Sequence, residues 1–121
     1  MHVHLVFVAK YRRGVFDGNA IECLRQIFAK VCRGFEAELI EMDGEDNHVH
    51  LLIEYPPKLA VSALVNSLKG VSSRLLRLER PDIERRYWKG VLWSPSYFAA
   101  SCGGAPISII RQYIEQQKTP D

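Results

Sequence analysis

The chain has 121 residues and no uninterrupted apolar run near the roughly 20 residues that a membrane-spanning helix requires. Its N-terminus lacks the basic n-region and long apolar h-region of a secretory signal, so a soluble cytoplasmic protein with no membrane partner is the expectation. Cysteine is scarce: the three present, Cys23, Cys32 and Cys102, are odd in number. None stands at the C-x-x-C spacing of a zinc site, and a reducing compartment fits them best. A G-x-x-x-x-G-K-[ST] phosphate loop is also missing, which argues against ATP-driven chemistry. No internal repeat is present. Charge of one sign is not in excess either, since the formal net charge is only +2, so the placement of basic residues matters more than their sum.

What is there is ordinary globular composition, 47% hydrophobic and 25% charged, in a length that holds one domain around one core. Val3 to Val8 is a short run of apolar residues rich in β-branched and aromatic types, and predicts a first strand. From Asn19 to about Arg33, Ile21, Leu24, Ile27, Phe28 and Val31 recur at helical spacing, with Asp17 or Asn19 as cap and Gly34 as stop. Ala37 to Met42 reads as a second strand and the polar segment Asp43 to Asn47 as a turn. A third strand runs from His48 to about Tyr55, closed by Pro56 and Pro57, which restrict the backbone and offer no N–H. Val61, Leu64, Val65, Leu68, Val71, Leu75 and Leu78 mark a second helix from about Leu59 to Leu78, ended by Pro81. Leu92 to Ala100 predicts a fourth strand whose Pro95 requires an edge position, a bulge or a late start. After Gly103 and Gly104, Pro106 sits well at a helix start, and Ile107, Ile110 and Ile114 give a third helix an apolar stripe to about Gln117. The order is βαββαβ with one added helix, which predicts an α+β, ferredoxin-like or RRM-like sandwich with an antiparallel sheet. In that topology the first and third strands lie at the centre.

Three groups of residues stand out for chemistry. Side chains alternate along a strand, so His48 and His50 share one face while Val49 points to the other. Two imidazoles so placed can bind one metal ion, although an isolated H-x-H is more often a pair of polar residues on a solvated face. His2 and His4 have the same spacing at the extreme N-terminus and rank lower, with His4 still able to reach the central platform. Tyr113 and Gln117 lie four residues apart and stack on one face of a helix. Taken alone, that pair reads as an amphipathic tyrosine beside a surface glutamine. Finally, Lys10, Arg12 and Arg13 surround Tyr11, and Lys69, Arg74, Arg77 and Arg80 line a predicted helix, with Arg85, Arg86 and Lys89 soon after. Basic groups mixed with aromatics suit phosphate contact and base stacking on single strands, and equally describe a solvated helix face.

The segments Lys10-Tyr11-Arg12-Arg13, His48-Val49-His50-Leu51-Leu52-Ile53-Glu54, Pro56-Pro57-Lys58, Leu68-Lys69-Gly70-Val71-Ser72-Ser73-Arg74, Leu92-Trp93-Ser94-Pro95-Ser96-Tyr97 and Tyr113-Ile114-Glu115-Gln116-Gln117 together resemble, in order, the HUH single-tyrosine transposases, TnpA-type, of small bacterial and archaeal insertion sequences. Each motif is weak alone; the ordered set covers nearly the whole chain and is specific. The resemblance implies an enzyme that cuts and rejoins single-stranded DNA at the ends of its element and recognises subterminal hairpins. It implies metal ligation by His48, His50 and Gln117 and a nucleophile at Tyr113. It also implies an obligate homodimer in which the tyrosine helix of one subunit completes the site of the other. Residues 1–102 would then form the sheet-and-helix core, 103–105 a hinge at the glycine pair, and 106–118 the tyrosine helix.

The same resemblance directs the chemical reading. A tyrosine phenol titrates near 10 and is a poor nucleophile at neutral pH, so a divalent ion that polarises the scissile phosphate would assist it. Nitrogen ligands favour Mn²⁺ on softness grounds, while open positions filled by phosphate and water accept Mg²⁺ as well. Attack would leave a 5′-phosphotyrosine and a 3′-hydroxyl and conserve the bond energy, in keeping with the absent phosphate loop. Lys10, Arg12, Arg13, Lys69 and Arg74 are the expected DNA phosphate contacts. The chain departs from the family in carrying Asp46-Asn47, where Pro-Asp is usual, before His48, and in starting at the first strand without a leader.

Tyr97 is a rival nucleophile, better read as a packed aromatic, and Trp88 and Trp93 suit core or interface anchors. A histidine-triad phosphohydrolase needs a third alternating histidine where Leu52 stands. A non-catalytic or domesticated binder of DNA or RNA hairpins on an RRM-like sheet is the remaining alternative.

Overall fold

The computed structural model describes residues 1–10, 14, 16–86 and 92–101. In chain order these form β1 (His2–Ala9), α1 (Gly18–Gly34), β2 (Glu38–Gly44), β3 (His48–Glu54), α2 (Val61–Glu79), α3 (Pro81–Arg86) and β4 (Trp93–Ser101). The sheet order is β2-β3-β1-β4, with every neighbouring pair antiparallel. This is the expected ferredoxin-like arrangement, with β1 and β3 side by side at the centre. The expected hinge and tyrosine helix, with Tyr113 and Gln117, lie outside the described residues, as do Arg12, Arg13, Trp88 and Cys102.

Alternation sorts the two central strands into faces. Val3, Leu5, Phe7 and Ala9 of β1 and Val49, Leu51 and Ile53 of β3 are buried on one side, where the helices cover them. Against that side α1 places Leu24, Ile27, Phe28 and Cys32, and α2 places Leu64, Val65, Leu68 and Leu76. Trp93 at the start of β4 packs among Phe7, Phe16 and Phe28, with ring centroids 5.7, 5.4 and 6.3 Å away. Its indole N–H donates to the Ser72 hydroxyl at 2.9 Å, which satisfies two buried polar groups at once and ties α2 to β4. Trp93 is therefore a core anchor, as its composition suggested. Among the described residues no helix is long and apolar enough to cross a membrane.

Two irregularities correct the strand readings. β2 extends to Gly44 rather than ending at Met42, and its pairing with β3 shifts register between Leu39 and Glu41. A bulge at this point inserts one residue, so Leu39 and Met42 both turn toward the core despite standing three apart. In β4, Phe7 lies opposite Tyr97 but Ala9 lies opposite Trp93, so the irregularity spans Pro95. β4 is an edge strand, and the missing proline N–H is accommodated there.

Helix ends follow the side chains available. The Asp17 carboxylate accepts from the Ala20 N–H at 2.8 Å and caps α1. Gly34 is the last helical residue, and the left-handed position falls on Glu36, at φ 60°. The stop expected at Gly34 is thus completed two residues later, where the Glu36 and Ala37 N–H groups take the Arg33 and Cys32 carbonyls. Pro81 ends α2 as expected and also opens the short α3, which the sequence reading did not anticipate. Proline suits the first turn because its missing N–H would have no helical partner there, and Ile83 one turn later is buried.

Arg80, between α2 and α3, bridges Asp17 at 2.8 Å and Asp82 at 2.9 Å. Hydrogen bonding from Arg80, reinforced by the Ala20 N–H, holds the Asp17 carboxyl down at about 2 from an ordinary 3.8. A depressed folded value favours the folded state while the carboxylate is ionised, so this contribution is complete above the ordinary value and is lost as pH falls through about 2. Thermal melts between pH 5 and pH 2 should show a falling midpoint. The Arg80→Ala variant should be less stable at neutral pH by on the order of 1 kcal/mol and show a shallower acid loss.

Candidate active site on the open sheet face

The face of the sheet turned away from α1 and α2 carries the histidines. Residues directly opposite in an antiparallel pair share a face, and β1 and β3 place His4 opposite Leu52, Val6 opposite His50 and Val8 opposite His48. His48 and His50 are half-buried, with ring centroids 6.4 Å apart and planes inclined by 26°. That spacing is close to the two-residue strand repeat of roughly 6.6–6.8 Å, as expected of two side chains standing upright on one strand. His4, only 3% exposed, stacks on His50 from the neighbouring strand at 5.6 Å and 29°. Three imidazoles therefore form a row along the centre of the sheet, of which the H-x-H pattern showed two. His2 is separate: it lies opposite Glu54 at the other end of β1 and its Nε2 is 3.2 Å from that carboxylate.

The turn before His48 is tightly built. The Ala9 N–H donates to the Asn47 carbonyl, the Phe16 N–H to the Asp46 carbonyl and the Glu45 N–H to the His48 carbonyl, each at 2.9 Å. Gly44 closes β2 where a Cβ would meet Ile21 Cδ1 and Val49 Cγ1, each at 2.9 Å, so glycine is required for this approach. The Asn47 side-chain oxygen lies 2.9 Å from His48 Nδ1. An amide oxygen only accepts, so this contact is a hydrogen bond when Nδ1 carries a proton.

Two carboxylates share this face. Asp43 lies opposite His50 and Glu41 opposite Leu52. The bulge in β2 puts them there, since uninterrupted alternation from Leu39 would turn both toward the core. On the other flank, Phe98 lies opposite Val6 and Ala100 opposite His4. Glu41, Asp43 and Asn47 were not predicted as site residues, because the bulge and the reading of residues 43–47 as a plain turn hid them, whereas His4 was expected to be able to reach this platform.

A divalent ion fits the donors present. His48 and His50 offer imidazoles from one face of one strand, a donor type that divalent ions accept. Among the described residues no group of three His, Cys, Asp or Glu is arranged to hold a metal.

Other candidates are placed elsewhere. Tyr97 lies opposite Phe7 on the helix-covered side, with its ring 6.4 Å from the Phe7 ring and at 84° to it. It is on the wrong face to meet His48 and His50. Burial raises the thiol of Cys23 and pushes that of Cys32 up to about 11, which leaves neither as a ready nucleophile. Lys10 follows β1 at the end where Val8 meets His48, and its N–H donates to the Leu92 carbonyl at 2.8 Å. Arg74 is exposed on α2, in the layer opposite the histidines. Lys69 is on the same helix, but its ammonium donates to the Ser94 carbonyl at 2.7 Å and the Pro95 carbonyl at 3.3 Å, and stands 5.7 Å from the centre of the Tyr97 ring. Burial lowers its pKa. Lys69, an expected phosphate contact, thus also holds the irregular start of β4 through these carbonyls.

An antiparallel ferredoxin-like sheet with a histidine pair at its centre, on the face turned away from the helices, defines a class of small α+β proteins. Comparison with known proteins places the chain within it. Residues 1–117 match the family described as Transposase IS200 like. The ISDra2 transposase TnpA of Deinococcus radiodurans is 32% identical over 117 residues, covering 97% of this chain and 84% of the relative. The transposase for insertion sequence element IS200 of Salmonella typhimurium is 32% identical over 118 residues, covering 98% and 77%. A crystal structure of a candidate transposase from Deinococcus radiodurans superposes with a TM-score of 0.79 at 30% identity, over 97% of this chain and 90% of that one. A REP-associated tyrosine transposase bound to a REP hairpin shares the fold, with a TM-score of 0.64 at 15% identity over 94% of this chain and 62% of that one. The chain belongs to the IS200-like transposase family and is a DNA-processing enzyme of that family.

The Lys69 clamp has a measurable consequence. In denaturant unfolding, Lys69→Met should cost on the order of 1 kcal/mol through loss of the charged hydrogen bonds to β4. Arg74→Ala, at an exposed position, should stay within about 0.5 kcal/mol of wild type. Equal stabilities for the two variants would show that the clamp contributes nothing.

Proposed function

We propose that the chain cleaves and rejoins single-stranded DNA at the ends of an insertion sequence, with Tyr113 as nucleophile and His48, His50 and Gln117 as ligands of Mg²⁺ or Mn²⁺. The observation that carries this reading is the pair His48 and His50 at the centre of the open sheet face, with Asn47 on His48 Nδ1. The assignments of Tyr113 and Gln117 rest on their spacing of one helical turn and on the ordered family resemblance.

The bound ion would supply Lewis acidity toward the scissile phosphate. His48 and His50 would hold it as neutral ligands and leave positions open for phosphate oxygen and water. The Tyr113 oxygen attacks phosphorus, a phosphotyrosine bond forms at the 5′ side, and the bond from phosphorus to the 3′ oxygen breaks. The phenolic proton is lost to solvent and the departing oxygen leaves as a 3′-hydroxyl. Rejoining reverses the step with another 3′-hydroxyl, and no external energy source is needed. Lys10, Arg12, Arg13, Lys69 and Arg74 would contact phosphates and position the strand without reading bases. The tyrosine transposase that shares this fold is bound to a hairpin, and a subterminal hairpin is the proposed recognition element here. The tyrosine helix of one subunit of a homodimer would complete the site of the other.

Incubation with single-stranded element-end DNA and Mn²⁺ or Mg²⁺ should give a covalent protein–DNA adduct on a denaturing gel. No adduct from wild type on a correct end sequence contradicts the activity and favours a hairpin-binding protein without chemistry. An adduct from Tyr113→Phe contradicts the nucleophile. Mixing Tyr113→Phe with His48→Ala subunits should restore part of the cleavage, and absence of rescue contradicts sites shared between subunits.

A further inference from the structure

We propose that Asn47 is a positioning residue: its side-chain carbonyl holds His48 as the Nδ1–H tautomer and so presents Nε2 to a divalent cation. This inference rests on the reading of His48 as a metal ligand and goes beyond it, since it assigns a role to the residue that contacts His48.

Three structural features converge on this residue. The side-chain oxygen of Asn47 is 2.9 Å from Nδ1 of His48. The backbone that carries it is fixed on both sides, because the Asn47 carbonyl takes the Ala9 N–H and the His48 carbonyl takes the Glu45 N–H, each at 2.9 Å. Gly44 lets the hairpin close against Ile21 and Val49. The acceptor is therefore held in place by the end of β1 and by the turn itself, before any ligand arrives. Neutral imidazole in water favours the proton on Nε2, which would block the outward nitrogen. An acceptor on Nδ1 reverses that preference, orients the ring and makes Nε2 more basic. A preorganised ligand loses less freedom when the ion binds. His50 has a different support, the His4 ring stacked on it at 5.6 Å, so the effect should be confined to His48.

The test separates the inference from the metal reading beneath it. Long-range proton–nitrogen NMR spectra of the ¹⁵N-labelled, metal-free protein, recorded above the titration range of imidazole, report each tautomer directly. His48 should be Nδ1–H in wild type and in Asn47→Asp, which keeps an acceptor. It should shift toward Nε2–H in Asn47→Ala, with the His50 pattern unchanged as an internal control of folding. Titration of Mn²⁺, followed by the electron paramagnetic resonance of the free ion, should show affinity on the order of 10–100-fold weaker in Asn47→Ala and near wild type in Asn47→Asp. A His48 tautomer that is Nε2–H in wild type, or that ignores Asn47→Ala, overturns the inference alone. Unaltered Mn²⁺ affinity in Asn47→Ala overturns it as well. No Mn²⁺ binding by wild type, with the tautomers as expected, overturns the metal reading itself.

Discussion

The antiparallel register of β1 on β3 is the constraint on which the rest depends. Strand side chains alternate, so one pairing decides at once which residues form the core and which form the platform. With Leu5 opposite Leu51 and Phe7 opposite Val49, the apolar set faces the helices, and His4, His48 and His50 are left together on the other side. A slip of one residue would bury the histidines and expose Val49, Leu51 and Ile53. The core thus enforces the site, since burying three imidazoles in place of branched aliphatics is strongly unfavourable.

The helix layer stabilises that register from behind. α1 and α2 cover the core face, Trp93 joins β4 to Ser72 on α2, and Lys69 holds the carbonyls at the start of β4. The outcome is a two-sided molecule with the α2 cations on the helix side and the three histidines on the other. Arg74, if it meets DNA, does so in a layer apart from the histidines, whereas Lys10 lies at the His48 end of the sheet. Phosphate contacts near the site are therefore to be sought first at the end of β1.

Much of this was legible in the sequence. The βαββαβ order followed from helical and strand periodicities, the central position of β3 followed from that order, and same-face placement of His48 and His50 followed from alternation alone. What stayed hidden came from local departures from regularity and from long-range register. The bulge after Leu39 extends β2 and brings Glu41 and Asp43 onto the histidine face, and no periodicity announces it. The register that brings His4 onto His50 is a long-range property that strand periodicity alone does not determine. Lys69 looked like one of a row of helix cations until the irregular start of β4 supplied two carbonyls to bind it. Asn47 read as a turn residue, and only its distance to Nδ1 shows what its amide does.

The central claim is that the open sheet face is where His48 and His50 jointly hold the ion. Diffraction at the manganese absorption edge from crystals of the Tyr113→Phe protein with Mn²⁺ and single-stranded DNA tests it most directly. The account predicts an anomalous peak on the open face, at roughly 2.1 Å from a nitrogen of each of His48 and His50. A peak bound elsewhere on the protein, or touching only one of the two imidazoles, would contradict it.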